Sequence, residues 1–183
     1  VTGTDDNNLV NGHGGGDEIH AMGGDDTIFV FQDDQAHGGA GSDGYIVSRA
    51  AEEGAAPASN RITIFEVAST TEENAVALDF ELSEISQAQL VAVYGADGAV
   101  QHYDIEITLA GDDGNDTVLV LSEMYDAAGL FLDKRFSFQT RDGFSMFPQF
   151  PQTLSDPDAP EPATGADAHI AAFDGRFGLK YNI

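Results

Sequence analysis

Apolar residues recur along this chain in two rhythms. Over residues 3–46 the interval is nine: blocks 3–11, 12–20, 21–29 and 38–46 carry Val10, Ile19, Ile28 and Tyr45 at their eighth position. Such an internal period fixes an architecture, because each unit must stack on its neighbours to bury its one apolar side chain. Further along the interval falls to two. Val76, Leu78, Phe80 and Leu82 alternate with Ala77, Asp79 and Glu81, and Ile62 and Ile64 mark a strand before them. Ile105, Ile107 and Leu109 alternate with Glu106 and Thr108, Val118 and Val120 follow, and Phe136 and Phe138 suggest one more strand. Alternation of this kind buries one face of an extended segment. Residues 82–90 are expected to hold one or two helical turns, and the alanine-rich residues 48–60, with Pro57, a surface loop.

The polar residues of the nine-residue units carry the chemistry. Residues 38–46, GGAGSDGYI, satisfy the pattern G-G-x-G-x-D-x-U-x throughout, with Tyr45 as the large apolar residue U. The sixth position reads Asn8, Asp17, Asp26 and Asp43. Glycine permits positive φ, so the backbone can turn sharply and present carbonyl oxygens inward. Calcium takes six to eight oxygens, which carbonyls and carboxylates supply together. Two units then make one coil of a flattened right-handed helix of strands, apolar residues inside, with calcium in the turns between a given turn and the turn two units later. On one edge this pairs Asn8 with Asp26 and Asp26 with Asp43. On the other, Asp17 meets the irregular stretch VFQDDQAH, where Asp33 and Asp34 are available. The candidate metal residues are Thr4, Asp6, Asn8, Gly15, Asp17, Gly24, Asp26, Asp33, Asp34, Gly39, Gly41 and Asp43. Residues 111–119, GDDGNDTVL, also fit the pattern, but a lone unit has no neighbour to complete a metal shell, and a hairpin tip is expected there.

These units resemble the RTX family, the haemolysin-type calcium-binding repeats of secreted bacterial proteins. Residues 60–83 look like the segment that often follows the last repeat and closes the roll. The resemblance implies a parallel β-roll, Ca2+ as cofactor, folding triggered by calcium outside the cell, and type I secretion. Asn8 in place of aspartate, Asp6 in place of the fourth-position glycine, and Ala21 and Met22 in place of two glycines depart from the family pattern.

Composition narrows the alternatives. The chain has 183 residues, with 32 acidic against 7 basic side chains, a net charge of −25 and a pI near 4.1. Such a surface repels nucleic acid and attracts divalent cations. The 42% hydrophobic content argues against an acidic disordered chain. Without cysteine neither disulfides nor thiolate sites can form. No apolar run approaches the roughly 20 residues of a membrane-spanning helix. No signal peptide is visible, which agrees with the uncleaved carboxy-terminal export signal that the resemblance implies. His13 and His20 fall at variable repeat positions and read as solvated turn residues; no HExxH spacing and no G-x-S-x-G elbow appears.

Residues 148–183 carry five of the six prolines and read as an extended linker. Phe177, Leu179, Tyr181 and Ile183 then alternate with Gly178, Lys180 and Asn182, a terminal strand expected to dock on a sheet edge of its own or a neighbouring chain. The whole reads as all-β: repeats over 1–47, a β-rich antiparallel cap over 48–147, and the extension. The expected function is a non-catalytic calcium-binding module of a secreted protein. The alternative is a self-assembling subunit of a surface layer or fibre, associating through the terminal strand and stabilised by calcium.

Overall fold

The computed structural model describes residues 1–48, 59–111, 115–148, 150, 152–154 and 180–182. Its regular structure is strand throughout apart from one short 3-10 turn, Leu82–Glu84, so the fold is all-β as the alternation predicts. The strands are β1 (Thr2–Thr4), β2 (Leu9–Asn11), β3 (Glu18–Met22), β4 (Thr27–Val30), β5 (Gln35–His37), β6 (Gly44–Val47), β7 (Arg61–Phe65) and β8 (Asn74–Leu78). They continue with β9 (Ile85–Tyr94), β10 (Val100–Leu109), β11 (Thr117–Asp126), β12 (Phe136–Thr140), β13 (Ser145–Phe147) and β14 (Lys180–Asn182).

Successive strands switch sheets. One seven-stranded sheet runs β1-β3-β5-β7-β11-β10-β9 and the other β14-β13-β12-β8-β6-β4-β2. From β1 to β8 each strand pairs in parallel with the strand two places on, so the chain winds as a stack of two-strand coils. The register stacks like on like. In the even sheet Val10 lies beside Ile28, Ile28 beside Tyr45, Tyr45 beside Val76 and Val76 beside Phe138. In the odd sheet Ile19, Ala36, Ile64 and Leu121 follow one another. All of these side chains are buried in one continuous core that reaches from Val10 to Met146. The eighth-position residues therefore face inward as the repeat requires, and each adds burial worth about 1.5–3 kcal/mol for a large aliphatic side chain.

Parallel pairing runs on past the repeats, through β7·β11 and β8·β12. The part beyond residue 47 is thus a parallel stack with an antiparallel border, β9·β10·β11 on one sheet and β12·β13·β14 on the other. The helical turns expected over residues 82–90 reduce to the 3-10 turn, after which β9 extends for ten residues as an edge strand. Pairing with β10, in continuous register from Gln87 opposite Thr108 to Val93 opposite His102, overrides local helix propensity there. Residues 109 and 117 pair across an antiparallel hairpin, as expected for the lone GDDGNDTVL unit, whose tip residues 112–114 lie outside the described residues. β14 pairs with β13 of its own chain, Tyr181 opposite Met146; Phe177, Leu179 and Ile183 lie outside the described residues, as does most of the loop 48–60.

Candidate functional site

The turns that enter the even-sheet strands are joined by a ladder of side chains. Asn8 N–H donates to Asp26 Oδ1 at 2.6 Å, Asp26 N–H to Asp43 Oδ1 at 2.8 Å, and Asp43 N–H to Asn74 Oδ1 at 2.8 Å. A second ladder, one residue earlier, runs the other way. Asp25 N–H donates to Asn7 Oδ1, Ser42 N–H to Asp25 Oδ1 and Glu73 N–H to Ser42 Oγ. Each pair of stacked turns is therefore clamped by two opposed hydrogen bonds, which satisfy backbone N–H groups the strands leave over.

Close stacking of the turns explains their glycines. Gly39 and Gly41 have φ of +103° and +127°, and a Cβ on either would lie 1.9 Å from the Met22 carbonyl oxygen or 2.1 Å from that of Gly24. Backbone carbonyls of one turn thus press directly against the next turn. Gly24 lies in the same way over Asp6 and Asn7. Thr4 and Asn8 close the first turn on itself: Thr4 N–H donates to Asn8 Oδ1 at 2.6 Å, and Asn8 Nδ2 to Thr4 Oγ1 at 3.0 Å.

The carboxylates of Asp26 and Asp43 are 2% and 1% exposed, and the second oxygen of each, Oδ2, is buried without a hydrogen-bond donor. A buried carboxylate oxygen left without a partner costs free energy comparable to a lost hydrogen bond or more. Burial pushes the Asp43 carboxyl up to about 6; the Asp26 N–H opposes this, and the charges of Asp26, Asp25 and Glu72 add to it. Glu72 also accepts the Gly41 N–H at 3.1 Å, so it belongs to this edge. Such an assembly of carboxylates and carbonyl oxygens offers a hard cation the donor type it requires. Among the described residues the turn carboxylates form no cluster of three side chains, so carbonyls would supply much of the shell.

The opposite edge is built differently. Asp17 meets Asp34, whose Oδ1 accepts the Asp17 N–H and whose Oδ2 accepts the Phe31 N–H, both at 2.9 Å. Both oxygens of Asp34 are thereby used by the backbone. Burial raises its carboxyl above the usual range and these two N–H groups hold it down. Asp33, at φ +77°, accepts from Ser59 N–H, while Gly15 sits in an exposed turn with open space around its Cα. Of the residues picked from the sequence, Thr4, Asp6, Asn8, Gly24, Asp26, Gly39, Gly41 and Asp43 share one edge, whereas Asp17, Asp33 and Asp34 lie in stacked turns on the other, where Asp34 gives both oxygens to backbone N–H groups and Asp33 binds Ser59.

Three participants escaped the sequence reading. Asn74 ends the ladder, and the spacing of Asn74 to Val76 repeats that of Asn8 to Val10, a signal that could have found it. Glu72 has no such mark. Glu66 accepts a very short hydrogen bond from the Tyr45 hydroxyl, inside the stack. Burial pushes the Glu66 carboxyl up to about 8; the Tyr45 bond lowers it, the Asp43 charge raises it, and the Val67 N–H and Lys134 lower it. A Cβ on Gly38 would fall within 2.5 Å of Tyr45 Oη, Asp43 Oδ2 and Glu66 Oε1, so the three groups converge on one point behind the turn.

The histidines also depart from expectation. His13 is in an exposed turn, but His20 lies in β3 rather than in a turn and stacks on His37 of β5, ring centroids 4.5 Å apart. His20 Nε2 is 3.0 Å from Glu18 Oε1, and His37 stacks in turn on Phe65. Burial, and then the neighbouring His20, lower the His37 value, with Glu18 opposing. The chain matches no protein-family model, and comparison with curated proteins and with solved structures gives no match either.

Proposed function

We propose that the chain is a calcium-binding module of a secreted or cell-surface protein, in the manner of the haemolysin-type repeats, and that the ion completes its folding. The observation that carries this reading is the pair of buried, donor-less oxygens, Asp26 Oδ2 and Asp43 Oδ2, in turns stacked so closely that carbonyl oxygens of one turn lie against glycines of the next. The ion would supply the positive charge that these turns otherwise lack. Asp26 and Asp43 would hold it, with carbonyl oxygens of the stacked turns and Asp25 or Glu72 as further oxygen donors. The chain's own part is to fix those oxygens by the two ladders, so that binding costs little further ordering. Asn8 spends its amide inside its own turn, so the Asp26–Asp43 interval is the stronger site and the Asn8–Asp26 interval the weaker.

A calorimetric calcium titration with sizing by light scattering tests this. The expected result is one or two ions per chain with no change in mass. Absence of calcium uptake overturns the reading. Growth into polymers on calcium addition would favour the assembling subunit instead.

A further inference from the structure

We infer that Glu18, His20 and His37 form a second metal site, on the outer face of the odd sheet, for a borderline transition ion of which Zn2+ is the probe. The site follows from the winding of the chain. β3 and β5 pair in parallel with Glu18 opposite Gln35, Ile19 opposite Ala36 and His20 opposite His37. Ile19 and Ala36 are buried, so the residues on either side of them face outward. Glu18 and His20 therefore project from one face two residues apart, and His37 joins them from the next strand, about 4.8 Å away in the hydrogen-bonding direction. Two imidazoles and a carboxylate meet on a rigid sheet, where their positions are set by backbone register rather than by a loop.

The distances suit this use. One ligand atom from each residue lies within 4.8 Å of the other two. His20 Nε2 and Glu18 Oε1 are already 3.0 Å apart. A tetrahedral ion with bonds of about 2.0–2.1 Å needs ligand atoms about 3.3 Å from one another. Closing the remaining separation takes rotation of His20 out of its stack on His37, and His20 and Glu18 have room for such rotation, their side chains being 41% and 69% exposed. His37 stays stacked on Phe65 on its other side, ring centroids 4.3 Å apart, which fixes one arm of the site. Two nitrogens and one oxygen suit zinc, copper or nickel and suit calcium poorly, whereas the turn edge offers oxygen alone. The two sites would thus divide the ions by donor type. The inference needs only the β3·β5 pairing and stands apart from the calcium reading.

The test is a zinc titration of the full chain by calorimetry, in calcium-saturated and in calcium-free buffer. One zinc per chain is expected with calcium saturating, weakened about tenfold or more by His20→Gln, His37→Gln and Glu18→Gln. His102→Gln, on β10 three strands along the sheet from β5, should leave it unchanged. Circular dichroism separates loss of zinc from loss of fold in the His37 variant. If that variant misfolds, proton spectra of the parent decide: of five histidines, the imidazole signals of His20 and His37 alone should move with zinc. No zinc uptake, uptake unaffected by all three substitutions, or displacement of zinc by excess calcium would each overturn the inference. A chain that binds zinc but not calcium would uphold it and refute the calcium reading.

Discussion

Asp26 and Asp34 both open a strand and both accept a backbone N–H from the preceding coil, yet their second oxygens have opposite fates. Asp34 Oδ2 takes the Phe31 N–H, and Asp26 Oδ2 takes nothing. Substitution by asparagine should expose the difference. Asp26→Asn and Asp43→Asn keep an oxygen for the ladder and lose charge, so calcium affinity should fall with the ladder intact. Asp34→Asn turns an amide N–H2 toward a backbone donor, so it should cost about 1–3 kcal/mol of stability and leave calcium stoichiometry alone. Equal calorimetric titrations for all three would refute this division of the edges. Glu66 gives a pH prediction at the same scale. Its carboxyl is pushed up to about 8 from 4.5, so the native state holds a proton that the unfolded chain has released. Its contribution is fully present below pH 4.5 and is lost as pH rises through 8, amounting to a few kcal/mol in order of magnitude. Glu66→Gln should therefore flatten the fall in melting temperature between pH 5 and 9. An unchanged slope would remove Glu66 as its cause.

The elements differ in how plainly the sequence announces them. The nine-residue units were legible because the stack is local: Val10, Ile28 and Tyr45 repeat within reach of one another and all point inward. The two-strand winding beyond them was not. β7 pairs with β11 across the inserted β9–β10 hairpin, a contact between distant residues that no local pattern records. β9 is half-buried along most of its length and shifts register against β10, so its apolar residues lack a clean alternation. His37 was hidden because it ends the irregular unit 30–37, which is one residue short, so its place beside His20 shows only once the strands are paired. At the turns, glycine content alone does not say which position is indispensable. Gly15 and Gly41 both have positive φ, but only Gly41 faces the carbonyl of a neighbouring turn. Gly15→Ala should cost about 1–2 kcal/mol, the strain of left-handed backbone. Gly41→Ala must also push two turns apart and should cost more, with loss of calcium affinity. Thermal unfolding that ranks Gly15→Ala as the more damaging would mean the turns are not stacked as described.

For the molecule as a whole the decisive quantity is the charge. At −25 the chain repels itself, and the repeat turns with the segment before β8 bring carboxylates of Asp25, Asp26, Asp43 and Glu72 to one edge. The single core from Val10 to Met146 couples that edge to the rest, so in calcium the protein should unfold in one transition. On the proposed reading, calcium at a hundred times its dissociation constant would add about 2.7 kcal/mol per site. Removing it should act unevenly. Strands β1 to β6 are three to five residues long and depend on the clamped turns, whereas β9, β10 and β11 are ten residues each and pair without them. Hydrogen exchange in chelator should therefore strip protection from residues 1–47 first, while Ile105, Ile107, Leu119 and Leu121 keep theirs. Sodium chloride at matched ionic strength screens charge but cannot fill an oxygen cage, and magnesium holds its waters and suits a smaller octahedral shell, so neither should restore the lost protection. If chelator leaves the exchange of residues 1–47 unchanged, the turns are stable without an ion and the module is not built around calcium. If sodium chloride restores protection as well as calcium does, the effect is general screening, and the donor-less oxygens of Asp26 and Asp43 serve no ligand.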